Sequence, residues 1–284
     1  MIDFDAASLL LQWATGGLLF LWVTTRRREV GLGYGWLMRG TYLLMVIGAW
    51  YVGTQVIAPL PVRDVASAGV ALATGVALAV SIVRRKAGVS GQLALAEQRS
   101  ERVAAMTGID RAPTERDTAA AEFPPWLDLI APVIGSIGII AAALNAGGPA
   151  WLAIGRFLVG AAFMGVITDA MLLGHWYLVQ PGLARGPLLE LVKWTGWIWV
   201  PEVVLLLVPV GMVSVINGTI PDNYNGLLGW FWIACAVTTG GLIVVTRLAL
   251  KERYYSAVMS ATGLLYLAIL TAFGTDLVAR ALLS

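Results

Sequence analysis

Three ionisable side chains stand out within long apolar runs: Arg156 and Asp169 in the stretch 150–177, and Glu202 in the stretch 192–216. A charge at the centre of a bilayer costs about 2.5–3.5 kcal/mol on insertion scales, so a group kept there invites a functional explanation. Two carboxyls brought together in oil cannot both ionise cheaply, and such a pair can hold and pass a proton or bind a cation. Asp169 lies about eight residues, or about 12 Å, before the end of its run, and Glu202 about nine residues beyond Lys193. The short segment from Pro181 to Pro187 predicts an antiparallel pair of helices, with the two carboxyls in one layer. Arg156 then serves as a counter-ion nearer the other face. His175, within Gly174-His175-Trp176-Tyr177, can exchange protons with water near neutral pH. At 100° per residue it points about 120° away from Asp169, so the two share one spot only through a kink or a water.

Each of these groups also has a purely structural reading. Asp169 and Arg156 can pair between helices, and His175 fits an aromatic belt with Trp176 and Tyr177. Asp128 and Asp276 lie near run ends and read as interfacial. Glu202 follows Pro201, whose missing N–H bends a helix and either lines a cavity or lets the helix curve around a neighbour. Trp194 and Trp197 gather with Trp176 and Tyr177 near the cytoplasmic ends of the same two runs. Their default role is anchoring at the headgroups, but with His175, Glu190 and Lys193 they can also frame a quinone or lipid-head pocket.

Other chemistries are excluded by counting. One cysteine, Cys235, makes no internal disulfide, no Cys-ligated iron–sulfur cluster and no structural zinc site. One histidine excludes two-histidine haem ligation. Without a Ser/His or Asp-rich set, neither a catalytic site nor a metal site is expected, and the chain does not read as an enzyme on its own. No Gly-rich segment sits between a strand and a helix, as phosphate binding would need.

The elements that must position these residues are membrane helices. The 284-residue chain is 58% hydrophobic and 13% charged with a mean hydropathy of +0.79, too little polar surface to dissolve a globule of that size. A net charge of only +2 also argues against nucleic-acid binding. Runs of about 20 apolar residues predict an all-α, polytopic bundle with about eight spans, near 7–25, 38–60, 65–83, 126–146, 150–177, 192–216, 226–246 and 255–279. Seven is the alternative, because Gly274, Thr275 and Asp276 interrupt the last run. Sixteen of the 19 basic residues fall in or beside the connections after the first, third, fifth and seventh spans, which predicts both termini on the non-cytoplasmic side. The start, Met-Ile-Asp-Phe-Asp, lacks the positive n-region of a cleaved signal, so the first span is expected to be retained.

Residues 1–284 thus form a single integral membrane domain with one sizeable cytoplasmic loop, 86–125. Within it, Gln92 to Met106 reads as a short helix. That loop is either a solvated linker or a docking site for other membrane or cytoplasmic subunits. An Ala-, Gly- and Arg-rich composition points to a bacterial cytoplasmic membrane. The expected function is a membrane subunit of an energy-coupled, respiratory-type complex, in which Asp169, Glu202 and His175 handle protons or contact a quinone. A small secondary transporter or channel, with a midplane site between spans 5 and 6, is the alternative.

Overall fold

A computed structural model describes residues 4–87, 100, 101, 103–105, 108, 121–180, 183–208, 211–222, 224–252 and 254–283. Among them the fold is all-helical: α1 (Ala6–Thr25), α2 (Leu32–Gln55), α3 (Pro61–Val83), α4 (Leu127–Asn145), α5 (Ala150–Val179), α6 (Gly186–Leu207), the short α7 (Met212–Ile216), α8 (Leu227–Ala249) and α9 (Tyr255–Leu283). Six of these helices, α1, α3, α4, α5, α8 and α9, are long and apolar enough to cross a membrane. The other two long helices are interrupted by polar residues: α2 carries Arg39 among Gly, Tyr and Trp residues, and α6 carries three charges, Glu190, Lys193 and Glu202. Leu44, Val65, Leu72, Val133, Val237 and Leu270 are all more than half exposed on the outside of the bundle, a surface suited to lipid. The chain is a multi-pass helical membrane protein.

Helix ends follow local chemistry more closely than hydropathy. α1 starts where the Asp5 carboxylate accepts the Ser8 backbone N–H at 2.8 Å, and α3 starts at Pro61, with Asp64 accepting the Leu60 N–H at 2.9 Å. α6 begins at Gly186-Pro187, six residues before the expected apolar run, and ends at Leu207, well inside it. α9 runs unbroken through Gly274-Thr275-Asp276, since Asp276 is paired one turn on with Arg280. The expected helix Gln92 to Met106 and the 86–125 loop fall largely outside the described residues.

α1 to α4 close into a ring: α1 packs on α2, α2 on α3, α3 on α4, and α4 back on α1. α5 is the most enclosed helix and lies against α1, α4, α6 and α9, while α8 and α9 pack on each other. Small residues let α1 and α5 meet backbone to backbone. A Cβ on Gly16 would lie 1.7 Å from the Ala161 carbonyl oxygen, and one on Gly165 would lie 2.1 Å from the Gly16 carbonyl carbon.

Buried ion pairs hold both ends of the ring. At one end Arg63 of α3 binds Asp64 through Nε at 2.8 Å and both Asp5 oxygens through Nη1 at 3.1 Å. At the other, Arg39 of α2 grips Asp128 of α4 with two hydrogen bonds, Nε to Oδ1 at 2.8 Å and Nη2 to Oδ2 at 2.6 Å. Asp128, in the first turn of α4, is therefore a buried structural partner at a helix end.

Candidate functional site

Asp169 and Glu202 are both fully buried, but at different levels. Arg156 Nε donates to the Leu205 carbonyl at 2.8 Å, which sets residue 156 of α5 opposite 205 of α6. In that antiparallel register Glu202 lies opposite about position 159, some ten residues or about 15 Å along the helix from Asp169. The shared layer expected from the sequence does not form, because apolar run lengths fix neither the true helix ends nor the tight turn between α5 and α6. The chain instead holds two separate carboxyl sites.

The first is built around Asp169, near the middle of α5. Tyr42 of α2 lays its ring across Gly17 of α1 and donates its hydroxyl to Asp169 Oδ1. A Cβ on Gly17 would sit 1.9 Å from the Tyr42 Cζ, so only glycine lets the phenol pass. Tyr34, about two turns before Tyr42 on α2, donates to the Asp169 backbone carbonyl at 3.4 Å. Asp169 Oδ2 has no hydrogen-bond partner. Among the described residues, this site couples a carboxyl to neutral hydroxyls and holds no cationic side chain against it.

The second site is ionic and lies toward the Asp5 end of the bundle. Asp276 and Arg280 of α9 pair at 2.6 Å, and Arg280 Nη2 also donates to the Arg156 carbonyl at 2.9 Å. Glu202 of α6 stands in the electrostatic field of Asp276, Arg280 and Arg156, yet neither of its carboxyl oxygens accepts a hydrogen bond. The Asp276 carboxyl is close enough that a proton held between the two acids would make a hydrogen bond. Arg280 stacks over Phe4 at 4.6 Å and Phe157 at 5.7 Å from the ring centroids. These three residues, with Arg156, Leu206 and Leu283, line a narrow cleft with room for about one water molecule. Asp276 is 1% exposed, so it too is buried instead of interfacial.

The remaining candidates scatter. His175 is exposed on the flank of α5, where its Nδ1 meets the Tyr266 hydroxyl at 3.0 Å, away from Asp169. Trp176 packs on Gly33 and beside Tyr34, and Tyr177 donates its hydroxyl to the Ala184 carbonyl at 2.6 Å, bracing the turn into α6. Trp194 and Trp197 pair with each other on the outer surface, with Lys193 over Trp197. The four aromatics do not frame one pocket, because two face inward and two face lipid.

No protein-family model, curated protein or solved structure matches this chain. Function is therefore argued from the two carboxyl sites. Sequence reasoning named one member of the first site and two of the second. Asp276 and Arg280 carried a usable signal, an acid and a base four residues apart on one helix face. Tyr42 carried none, since its contact with Asp169 spans 127 residues.

Proposed function

We propose that this protein is a subunit of an energy-coupled, respiratory-type complex of a bacterial cytoplasmic membrane, with eight spans and both termini outside the cytoplasm. Asp169 and Glu202 handle protons in it. One observation carries this reading: among the described residues, Asp169 Oδ2 accepts no hydrogen bond and Glu202 is buried with a second acid, Asp276, as the neighbour that could share its proton. An acid left in this state is expensive as a structural element alone, and it is suited to taking up and releasing a proton. In this scheme Asp169 holds its proton against Tyr42. Glu202 and Asp276 share one, and Arg156 and Arg280 offset the charge that remains. The 86–125 loop docks a partner subunit; its far end is tied to the bundle by Arg28 with Glu122 and by Arg84 Nη1 on the Glu122 carbonyl at 2.6 Å. Proton handling is preferred to quinone contact because the aromatic side chains divide between interior and surface.

Asp169→Asn and Glu202→Gln, each in the native complex, test this. Coupled proton movement should fall by about 10²–10⁴-fold, the usual contribution of a positioned acid–base group, while assembly is kept. Full coupling in both assembled variants would refute the role of these carboxyls.

A small secondary transporter or channel is the second reading, and the cleft favours it: two arginines and two phenylalanines meet there beside Glu202. Solute flux catalysed by the purified protein alone in liposomes, lost on Glu202→Gln, would favour it over the complex subunit.

A further inference from the structure

We infer that the flank where α6 borders the end of α1 binds the headgroup of an anionic phospholipid, a site independent of the buried carboxyls. Glu190, Lys193, Trp194 and Trp197 of α6 follow the i, i+3, i+4, i+7 spacing of a single helix face. That face meets the last turns of α1 at two levels. At the upper one, Glu190 takes Arg26 on one carboxyl oxygen and Arg27, at 3.6 Å, on the other. Four residues further along α6, about 6 Å deeper, Trp194 lies against Phe20 of α1 with ring centroids 6.3 Å apart. Charge therefore stands at the end of α1, and aromatic rings begin directly below it.

The charges on this flank do not balance. Arg26, Arg27 and Lys193 surround the one carboxylate of Glu190. The Arg27 side chain is 55% exposed and stands beyond hydrogen-bond length from that carboxylate. Lys193 is exposed, and among the described residues its ammonium faces no acid; it lies over the Trp197 ring, 5.4 Å from the centroid. The next acid, Glu29, reaches Gly186 at the start of α6, a turn beyond Glu190. Even with Glu29 counted, cations lead three to two. A phosphodiester supplies the missing negative charge, and guanidinium and ammonium groups are its natural hydrogen-bond donors.

The lower level assigns that phosphate to a lipid. Trp194 and Trp197 are 41% and 65% exposed on the outside of the bundle and meet edge to face, 6.3 Å apart. The same flank of α6 continues with Val200 and Val204, each at least half exposed. Indole rings settle at the boundary between headgroups and acyl chains, and valines beyond them offer a chain an apolar track. A free anion would use only the cations, whereas an anionic phospholipid uses both levels at once. Arg247 and Lys251, exposed near the end of α8, supply a comparison. They lie at the same end of the bundle, because Arg185, at the start of α6, donates to the Leu250 and Glu252 carbonyls.

Lipid titration of the purified full-length chain in a non-ionic detergent tests the site, with bound lipid counted on the folded protein by native mass spectrometry. Phosphatidylglycerol should bind in preference to phosphatidylcholine of the same acyl chains. Arg27→Gln with Lys193→Gln should weaken that binding about thirtyfold, the effect of two cations at a membrane surface. Arg247→Gln with Lys251→Gln removes equal charge from the same end and should leave the binding within about twofold. If the first double variant melts early, Lys193→Gln alone, which breaks no ion pair, should still weaken binding about fivefold. Equal losses in the two double variants would reduce the effect to bulk surface charge and overturn the site, as would equal binding of the two lipids. Competition by glycerol 3-phosphate at the concentrations at which phosphatidylglycerol binds would overturn the lipid assignment, since the free anion would then suffice.

Discussion

Asp169 and Glu202 are the same chemical group at the same burial, and the bundle treats them in opposite ways. Asp169 has only hydroxyls beside it, whereas Glu202 shares its surroundings with a second acid and two guanidinium groups. A neutral site can lose its ionisable group and keep its packing. An ionic cluster cannot lose one member without stranding another. Stability and activity should therefore separate at Asp169 and travel together around Glu202.

Arg280→Met is the sharpest way to break that contrast. It removes the partner of Asp276 and leaves two acids together in a dry site, so it should destabilise by about 3–5 kcal/mol, the usual cost of stranding one half of a buried pair. Asp169→Asn keeps the shape and an oxygen for Tyr42, strands no cation, and should cost about 1 kcal/mol or less. Unfolding midpoints of the two purified variants in one detergent check this. Equal losses would mean that the two sites are not distinct in kind.

The helices were readable from the sequence, and their partnerships were not. Apolar runs at 126–146 and 150–177 match α4 and α5 to within two residues, because a bilayer selects for length and hydropathy, both local properties. Register is not local. The ten-residue offset between Asp169 and Glu202 depends on where α6 starts, which Gly186-Pro187 decides and hydropathy ignores. Run ends placed Asp128 and Asp276 near the interface but carried no information on what buries them. Each is buried by an arginine, Arg39 from a helix 89 residues away and Arg280 from the next turn of its own helix.

The two sites are set along α5, and α5 is set against α1 by glycine. Gly165→Ala would drive a methyl into the Gly16 backbone and force the helices apart, at about 1–3 kcal/mol for overpacking. Because Tyr42 reaches Asp169 by crossing α1 at Gly17, the Asp169 site should suffer more than the Glu202 cluster. Unfolding midpoints of Gly165→Ala in the parent, Tyr42→Phe and Glu202→Gln backgrounds read the change, with coupling expected to Tyr42 and not to Glu202. Equal coupling to both would show that the helices shift without singling out the phenol.

A smaller effect is expected from the phenol itself. Tyr42→Phe deletes the only hydrogen bond that the described residues make to the Asp169 side chain and should cost about 1–3 kcal/mol, the penalty for leaving a buried polar group unsatisfied. The loss should shrink when Asp169 is already Ala, and the double-mutant cycle isolates the pair. A full-sized loss in the Ala background would place the role of the hydroxyl elsewhere.

A third carboxyl, outside the spanning helices, completes the comparison. Asp222, just before α8, accepts the Tyr224 and Gly226 N–H groups on Oδ1 at 3.0 and 2.8 Å and the Leu228 N–H on Oδ2 at 2.9 Å. Led by the Gly226 N–H, these donors hold its carboxyl below the ordinary aspartate range, against the opposing effect of burial. A folded-state value below the unfolded one stabilises above the ordinary carboxylate range, and that stabilisation is lost as pH falls through the depressed value. Hydrogen exchange at the Gly226 and Leu228 amides should therefore be slow at neutral pH, after correction for intrinsic rates, and lose protection on acidification. Asp222→Asn, which cannot titrate, should show weaker protection and no such pH step. If acid released the α8 start equally in both, the cap would owe its strength to geometry, and charge would matter only inside the bundle.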